Sequence, residues 1–228
     1  PWSMPRREDK SPITVPAWAC MMSGKDPGTL GVYGFRNRKD HTYDGMFTAN
    51  ATAIREKRAW DILSRLGKKV VVLGVPQTYP VTPVNGWMIS GFLAPDLDAD
   101  YTYPKALKHE LREKTGEYIL DVKDFWTEEK DRLLAQVHRL MNNRFDVARY
   151  LMTTRPWDFF MMVEMGLDRL HHGFWKYGDP SHPKYEPGNP YEHAMRDYYR
   201  ALDARLGELV QLAGDETAVL VVSDHGAQ

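Results

Sequence analysis

Residues 53–73, AIREKRAWDILSRLGKKVVVL, decide the fold class. The stretch from Ala53 to Leu66 has the spacing of an amphipathic helix, and the glycine that follows it is typical of a helix end. Val70–Leu73 comes directly after, and this continuous, mainly β-branched apolar run indicates a strand that is buried on both faces. A helix that leads at once into such a strand is typical of α/β proteins with a parallel sheet.

The alternation of helices and strands continues along the chain. Apolar stripes predict further helices at 128–153 and 190–212, and continuous apolar runs predict central strands at Phe159–Val163 and Ala218–Val222. This order implies an α/β fold in which right-handed crossovers join a mostly parallel central sheet. We expect helices on both faces of that sheet.

Residues 75–126 interrupt the pattern. Prolines and aromatic residues recur through them, and the periodic pieces are short, with one helix predicted near Lys105–Lys114. We interpret this region as an insertion that caps one end of the sheet. The chain, residues 1–228, is then a single domain that carries the cap within it.

The composition excludes several classes of protein. The 228 residues include 30 basic and 31 acidic side chains, and a formal net charge of −1 lacks the basic excess of typical nucleic-acid-binding domains. A single cysteine, Cys20, can form neither an internal disulfide nor a thiolate zinc cluster. No apolar run approaches the roughly 20 residues of a membrane helix, and no signal peptide is evident. We therefore expect a cytoplasmic protein without a membrane segment or a nucleic-acid surface.

An acid–imidazole pair follows each of the two later strands. Asp168 comes after Phe159–Val163, and His172 stands four positions further on, so a helix would present an oxygen and a nitrogen on one side. Asp224 and His225 directly follow the last predicted strand. Ligands of open α/β sheets bind beyond the carboxyl ends of the strands. Carboxylate and imidazole ligands together suit zinc, manganese or iron better than calcium.

Each signal has an ordinary alternative. An aspartate at a strand end often only caps the next helix, and adjacent histidines such as His171 and His172 are more often surface residues than ligands. Arg169 could pair with a substrate phosphate, although a helix-surface salt bridge is the commoner role. The coincidence of two acid–imidazole pairs, each behind a buried strand, favours a metal site.

Thr14 directly precedes a short helix predicted at Pro16–Ser23, which has proline in its first turn and Gly24 as its stop. The free N–H groups of a helix N-terminus favour an anion. Thr14 could simply cap this helix. A hydroxyl beside two metals at a helix start is also the arrangement used for in-line phosphoryl transfer.

Three segments together resemble motifs of the alkaline phosphatase superfamily and, within it, of the type I phosphodiesterase/nucleotide pyrophosphatase group. Residues 14–32, TVPAWACMMSGKDPGTLGV, resemble the nucleophile segment of that group. Residues 168–175, DRLHHGFW, resemble its Asp-x-x-x-His motif in the form carried by a predicted phosphohydrolase/phosphomutase branch, and residues 223–226, SDHG, match its Asp-His-Gly motif. The motifs stand in the family's order and cover nearly the whole chain.

The resemblance implies a metal-dependent phosphoric ester hydrolase that acts on a small-molecule substrate through a phosphothreonine intermediate. Thr14 would be the nucleophile and also a ligand of one metal, together with Asp224 and His225. Asp168 and His172 would hold the second metal. The two divalent cations would be zinc in the first place, with manganese or iron as alternatives.

The resemblance is incomplete in one segment and leaves two other functions open. Nucleotide pyrophosphatases carry a phosphate-binding asparagine where simple alignment places Phe35, and we name Asn37 as a candidate substrate-binding residue in its place, with Arg36 as an alternative. A phosphomutase or phosphomonoesterase of the same superfamily would use the same nucleophile. A non-catalytic fragment or pseudoenzyme would keep the fold and bind a partner.

The resemblance also implies two ligands beyond those named. They are an aspartate at the end of a strand before Thr14 and a histidine far downstream of Gly226. Only 13 residues precede Thr14, and only Ala227 and Gln228 follow Gly226. We therefore expect a domain that is incomplete at both ends, with at most one well-occupied metal and little or no activity by itself. The longer natural protein should bind two metals and hydrolyse phosphoric esters.

Overall fold

The computed structural model describes residues 13–40, 42 and 44–226. The short helix predicted after Thr14 is present as α1, Thr14–Ser23, and it ends at Gly24 with a positive φ of 67°. α2, Pro27–Leu30, follows, and β1, Arg36–Arg38, pairs antiparallel with β2, Met46–Thr48. Val15 and Ala19 of α1 are buried against Leu30 and Val32, so this N-terminal region packs on the first helix.

A mixed sheet of four strands forms the centre of the described residues, in the order β5-β4-β3-β6. The strands are β3, Val70–Leu73, β4, Gly86–Ile89, β5, Thr102–Tyr103, and β6, Phe159–Met162. β3 pairs in parallel with β4 and with β6, whereas β4 and β5 are antiparallel. β3 is fully shielded from solvent on both faces, which confirms the prediction made from its apolar run.

Helices cover both faces of this sheet. They are α3, Ala59–Arg65, α4, Leu107–Thr115, α5, Lys130–Thr154, α6, Gly166–Gly178, and α7, Ala194–Ala213. Val71 and Leu73 of β3 belong to the core cluster shared with α4 to α7, whereas Val70 and Val72 belong to a second cluster with α1 and α3. The alternation of side chains along one strand thus joins the two helical layers. No helix among the described residues combines the length and the apolar character that a membrane span requires.

The last two predicted strands differ from expectation. β6 was predicted as a central strand, but it lies at the edge of the sheet in the described part of the chain and is only half-buried. The prediction of a strand at Ala218–Val222 is wrong, because these residues are assigned to no strand. Leu220 and Val221 are instead 87% and 74% exposed. An apolar run forms a strand only where a neighbouring strand accepts its backbone hydrogen bonds.

Two other regions also depart from the sequence prediction. The helix predicted from Ala53 to Leu66 is a 3₁₀ turn at Ala51–Ala53 followed by α3, because the Asp61 carboxylate accepts the backbone N–H of Arg58 and fixes a later helix start. Within residues 75–126, α4 confirms the predicted helix, but β4 and β5 were not predicted. Part of the region interpreted as a cap therefore belongs to the sheet, and the remainder stays a prediction.

Candidate active site

Thr14 is the first residue of α1, and its hydroxyl does not cap that helix. The N-cap position is Ile13, which makes no capping hydrogen bond through its side chain. The Thr14 Oγ1 atom instead lies 3.2 Å from Nε2 of His225, a residue 211 positions away in sequence. The fold therefore joins the first and the last of the motifs.

The hydrogen bonds of His225 define which ring nitrogen carries the proton. Its Nδ1 atom lies 2.8 Å from the carbonyl oxygen of Gly226, and because a carbonyl can only accept, Nδ1 must donate. In the tautomer that carries its proton on Nδ1, Nε2 has the lone pair that can accept the Thr14 hydroxyl. Asp224 Oδ2 lies 3.5 Å from the same Nε2 atom, and both side chains are less than one-fifth exposed. The oxygen atoms of Thr14 and Asp224 therefore both lie close to Nε2 of His225.

The second acid–imidazole pair lies on α6. Asp168 Oδ1 is 3.4 Å from Nε2 of His172, as the four-residue spacing predicts. Asp168 is not the cap of this helix, because the Glu164 carboxylate accepts the N–H groups of Gly166 and Leu167. His172 is 61% exposed, so this pair opens to solvent while the other is shielded.

Glu164 is a residue that the sequence analysis missed. It lies two positions after β6, and it also accepts a hydrogen bond from the Tyr198 hydroxyl at 3.2 Å. Burial raises the pKa of Glu164 and lowers that of Arg144 to about 10, and the two buried charges attract each other. The Arg144 guanidinium also lies 4.6 Å from the ring of Tyr118. This buried network fixes the start of the helix that carries Asp168.

His171 precedes His172 on α6, and residues of both pairs influence its pKa. Burial lowers the pKa of its imidazole, Asp168 opposes this shift, and His172 and His225 reinforce it. Its Nε2 atom lies 3.1 Å from the Tyr199 hydroxyl on α7. Residues of both pairs therefore contribute to the electrostatic environment of His171.

The donor atoms of the two pairs fit a divalent metal. Ligand atoms at about 2.0–2.2 Å from a tetrahedral zinc ion are roughly 3.3–3.6 Å apart, and the separations within the pairs are 3.4 and 3.5 Å. No three His, Cys, Asp or Glu side chains come together among the described residues. Thr14 Oγ1 supplies a third donor next to Asp224 and His225, whereas Asp168 and His172 form a two-donor group.

Arg169 is engaged by two carboxylates. Its Nε and Nη2 atoms lie 2.9 and 2.6 Å from the two oxygens of Asp121, and its Nη1 atom lies 3.3 Å from Asp168 Oδ2. The rings of Phe92 and Phe125 flank the guanidinium at 5.6 and 5.5 Å. The salt bridge considered for Arg169 is thus present, and its main partner, Asp121, belongs to no motif.

Asn37 lies in β1 and is buried. Its Oδ1 atom accepts the N–H of Tyr33, and its Nδ2 atom donates to the carbonyl of Gly34, each at 2.8 Å. These bonds hold the loop that presents Phe35, whose partly exposed ring meets Phe92 edge to face with centroids 6.2 Å apart. A role of Asn37 in substrate binding remains a prediction.

Comparison with known proteins gives one family. A family model described as type I phosphodiesterase / nucleotide pyrophosphatase matches residues 11–228. No curated protein and no solved structure matches the chain. The matched span contains all three motifs and every residue of the two acid–imidazole pairs.

Proposed function

This chain belongs to the type I phosphodiesterase/nucleotide pyrophosphatase family of the alkaline phosphatase superfamily, and we propose that it hydrolyses phosphoric esters with Thr14 as the nucleophile. The family suggests phosphodiesterase or nucleotide pyrophosphatase activity and generally uses divalent metals. The observation that carries the assignment to Thr14 is its 3.2 Å contact with His225, which joins two separate motifs.

Two groups of donors would hold the metals. Thr14, Asp224 and His225 would hold one divalent cation, and Asp168 and His172 would hold the other. Zinc suits these oxygen and nitrogen donors, and manganese or iron would also be accepted. Cations bound there lower the pKa of the Thr14 hydroxyl and offset the negative charge of the phosphoryl oxygens.

The residues of the chain account for the remaining chemistry. Thr14 Oγ1 attacks phosphorus in line, so that a bond between Oγ1 and phosphorus forms while the bond to the leaving oxygen breaks. The hydroxyl proton passes to solvent, and the leaving oxygen takes a proton from water. Water then cleaves the phosphothreonine and restores Thr14. Thr14 is also the first residue of α1, and the free N–H groups of a helix start would favour the phosphoryl anion.

A matched pair of threonine variants tests this proposal. Thr29 is the control, because its hydroxyl donates a hydrogen bond to Asp26, the N-cap residue of α2, and to no residue of the two acid–imidazole pairs in the described part of the chain. We expect Thr14→Ala to lower kcat/KM for bis(p-nitrophenyl) phosphate by at least about a thousandfold. Thr29→Ala should leave it within about twofold of the parent protein. Activity is measured with added Zn²⁺ or Mn²⁺, and a chelator should remove it from both the parent and the control.

Two results would change the assignment. Parent-like turnover by Thr14→Ala would exclude Thr14 as the nucleophile. Faster turnover of p-nitrophenyl phosphate than of the diester would favour a phosphomonoesterase that uses the same site.

A further inference from the structure

Asp121 lies far from the motifs in sequence and close to one of them in space. It belongs to the segment that connects α4 to α5, and it meets Arg169 across 48 positions of the chain. Both of its oxygens face the guanidinium, at 2.9 and 2.6 Å. Such a fork fixes the orientation of the guanidinium as well as its position.

The third contact of Arg169 reaches a candidate metal ligand. Its Nη1 atom lies 3.3 Å from Asp168 Oδ2, whereas the other oxygen of Asp168, Oδ1, lies 3.4 Å from His172 Nε2. Arg169 therefore engages one oxygen of this carboxylate and leaves the second directed towards the imidazole.

The surroundings restrict the movement of this arginine. The side chains of Arg169 and Asp121 are both partly buried, with 19% and 28% of their surfaces exposed. Phe92 and Phe125 lie within about 6 Å of the guanidinium, which is the range of a favourable cation–π contact. Displacement of Arg169 would break the fork and both ring contacts.

We propose that Asp121 is a positioning residue, which acts through Arg169 to hold the Asp168 carboxylate so that Oδ1, together with His172, is presented to a divalent cation. This inference rests on the proposed function for the assignment of Asp168 and His172 to a metal. Carboxylate ligands are commonly oriented by such outer contacts, and removal of the contacts costs about 10–100-fold in metal affinity.

Charge alone is a competing explanation, since an anionic Asp121 would attract a cation without any orienting effect. Arg169→Lys separates the two, because it leaves every formal charge in place. A lysine ammonium cannot form a planar fork with Asp121 and reach Asp168 at the same time. Positioning therefore predicts weaker metal binding in this variant, whereas charge alone predicts no change.

The experiment measures the binding of Mn²⁺ alone to the full chain by titration calorimetry. Asp121→Asn and Arg169→Lys should each lower the affinity for Mn²⁺ about tenfold. The affinity of the double variant should be less than about twofold below that of either single variant, because both changes break the same contact. Asp146→Asn is the matched control, since Asp146 makes a similar salt bridge to Arg205 between α5 and α7. Its Mn²⁺ affinity should stay within about twofold of the parent protein.

The outcomes distinguish this inference from the proposed function. Parent-like affinity in Arg169→Lys would overturn the positioning role and leave the proposed function standing. If the parent chain binds no Mn²⁺, both proposals fail. Thermal unfolding without metal should show similar small losses for Asp121→Asn and Asp146→Asn, so that a difference in affinity is not an effect of unfolding.

Discussion

The Asp168–His172 pair and the Asp224–His225 pair present the same donor atoms at nearly the same separation, yet different structures hold them. The first pair lies on α6, which Glu164 caps and which packs against α5 and α7. The second pair follows an exposed run that is assigned to no strand, and its histidine contacts Thr14 at the start of α1. Helix periodicity sets the first geometry, whereas a contact across the fold sets the second.

The comparison predicts the largest effect for a change at the second pair. His225→Ala would remove a proposed metal ligand together with the partner of the Thr14 hydroxyl, so kcat/KM should fall by about a thousandfold or more. Metal content, measured by elemental analysis, should fall as well. His193→Ala is the control, because His193 is exposed at the start of α7. Unchanged metal stoichiometry in His225→Ala would remove His225 from the ligand set.

The first pair depends on Glu164, the buried carboxylate that accepts hydrogen bonds from the start of α6. Glu164→Ala removes the acceptor for two N–H groups of α6 and leaves the buried charge of Arg144 without its carboxylate. We expect the free energy of unfolding, measured by urea denaturation, to fall by about 3–5 kcal/mol. Glu164→Gln keeps an acceptor and should lose less. An equal loss of unfolding free energy in both variants would show that Glu164 stabilises the fold through its charge and not through its hydrogen bonds to the start of α6.

A pair of isosteric substitutions compares the two apolar runs themselves. Val71 in β3 is fully buried, whereas Val221 is mostly exposed. Val71→Thr places a hydroxyl in the core and should cost about 1–3 kcal/mol in the free energy of unfolding. Val221→Thr should change it by less than about 0.5 kcal/mol. A large loss for Val221→Thr would mean that residues 218–222 are buried in solution.

The sequence predicts best what depends on neighbours along the chain. Proline in the first turn and a glycine stop locate α1, periodicity locates α5 and α7, and four apolar residues suffice for β3. The Asp168–His172 pair follows from one helical turn. β4 and β5 are too short and lie too close to prolines for a periodic signal, and strand formation at 218–222 depends on a partner strand that composition does not supply.

The supporting residues of the site could not be predicted in this way. Asp121 and Glu164 are ordinary acidic residues in sequence, and they acquire their roles from Arg169 and from the start of α6. The contact between Thr14 and His225 spans nearly the whole chain, so only the family resemblance, which implies that both residues bind one metal, indicated it. Local patterns name the donors, but the groups that orient them are found only in the folded chain.

The exposed run at 218–222 also bears on solubility. Short, uncharged, β-prone segments with open backbone groups are the usual starting points of self-association, and flanking charges restrain them. Asp215 and Glu216 precede this run, and Asp224 follows it. Asp215 and Glu216 are exposed, and they would thus serve as gatekeepers against aggregation. Neutralising them would remove charges that keep neighbouring molecules apart.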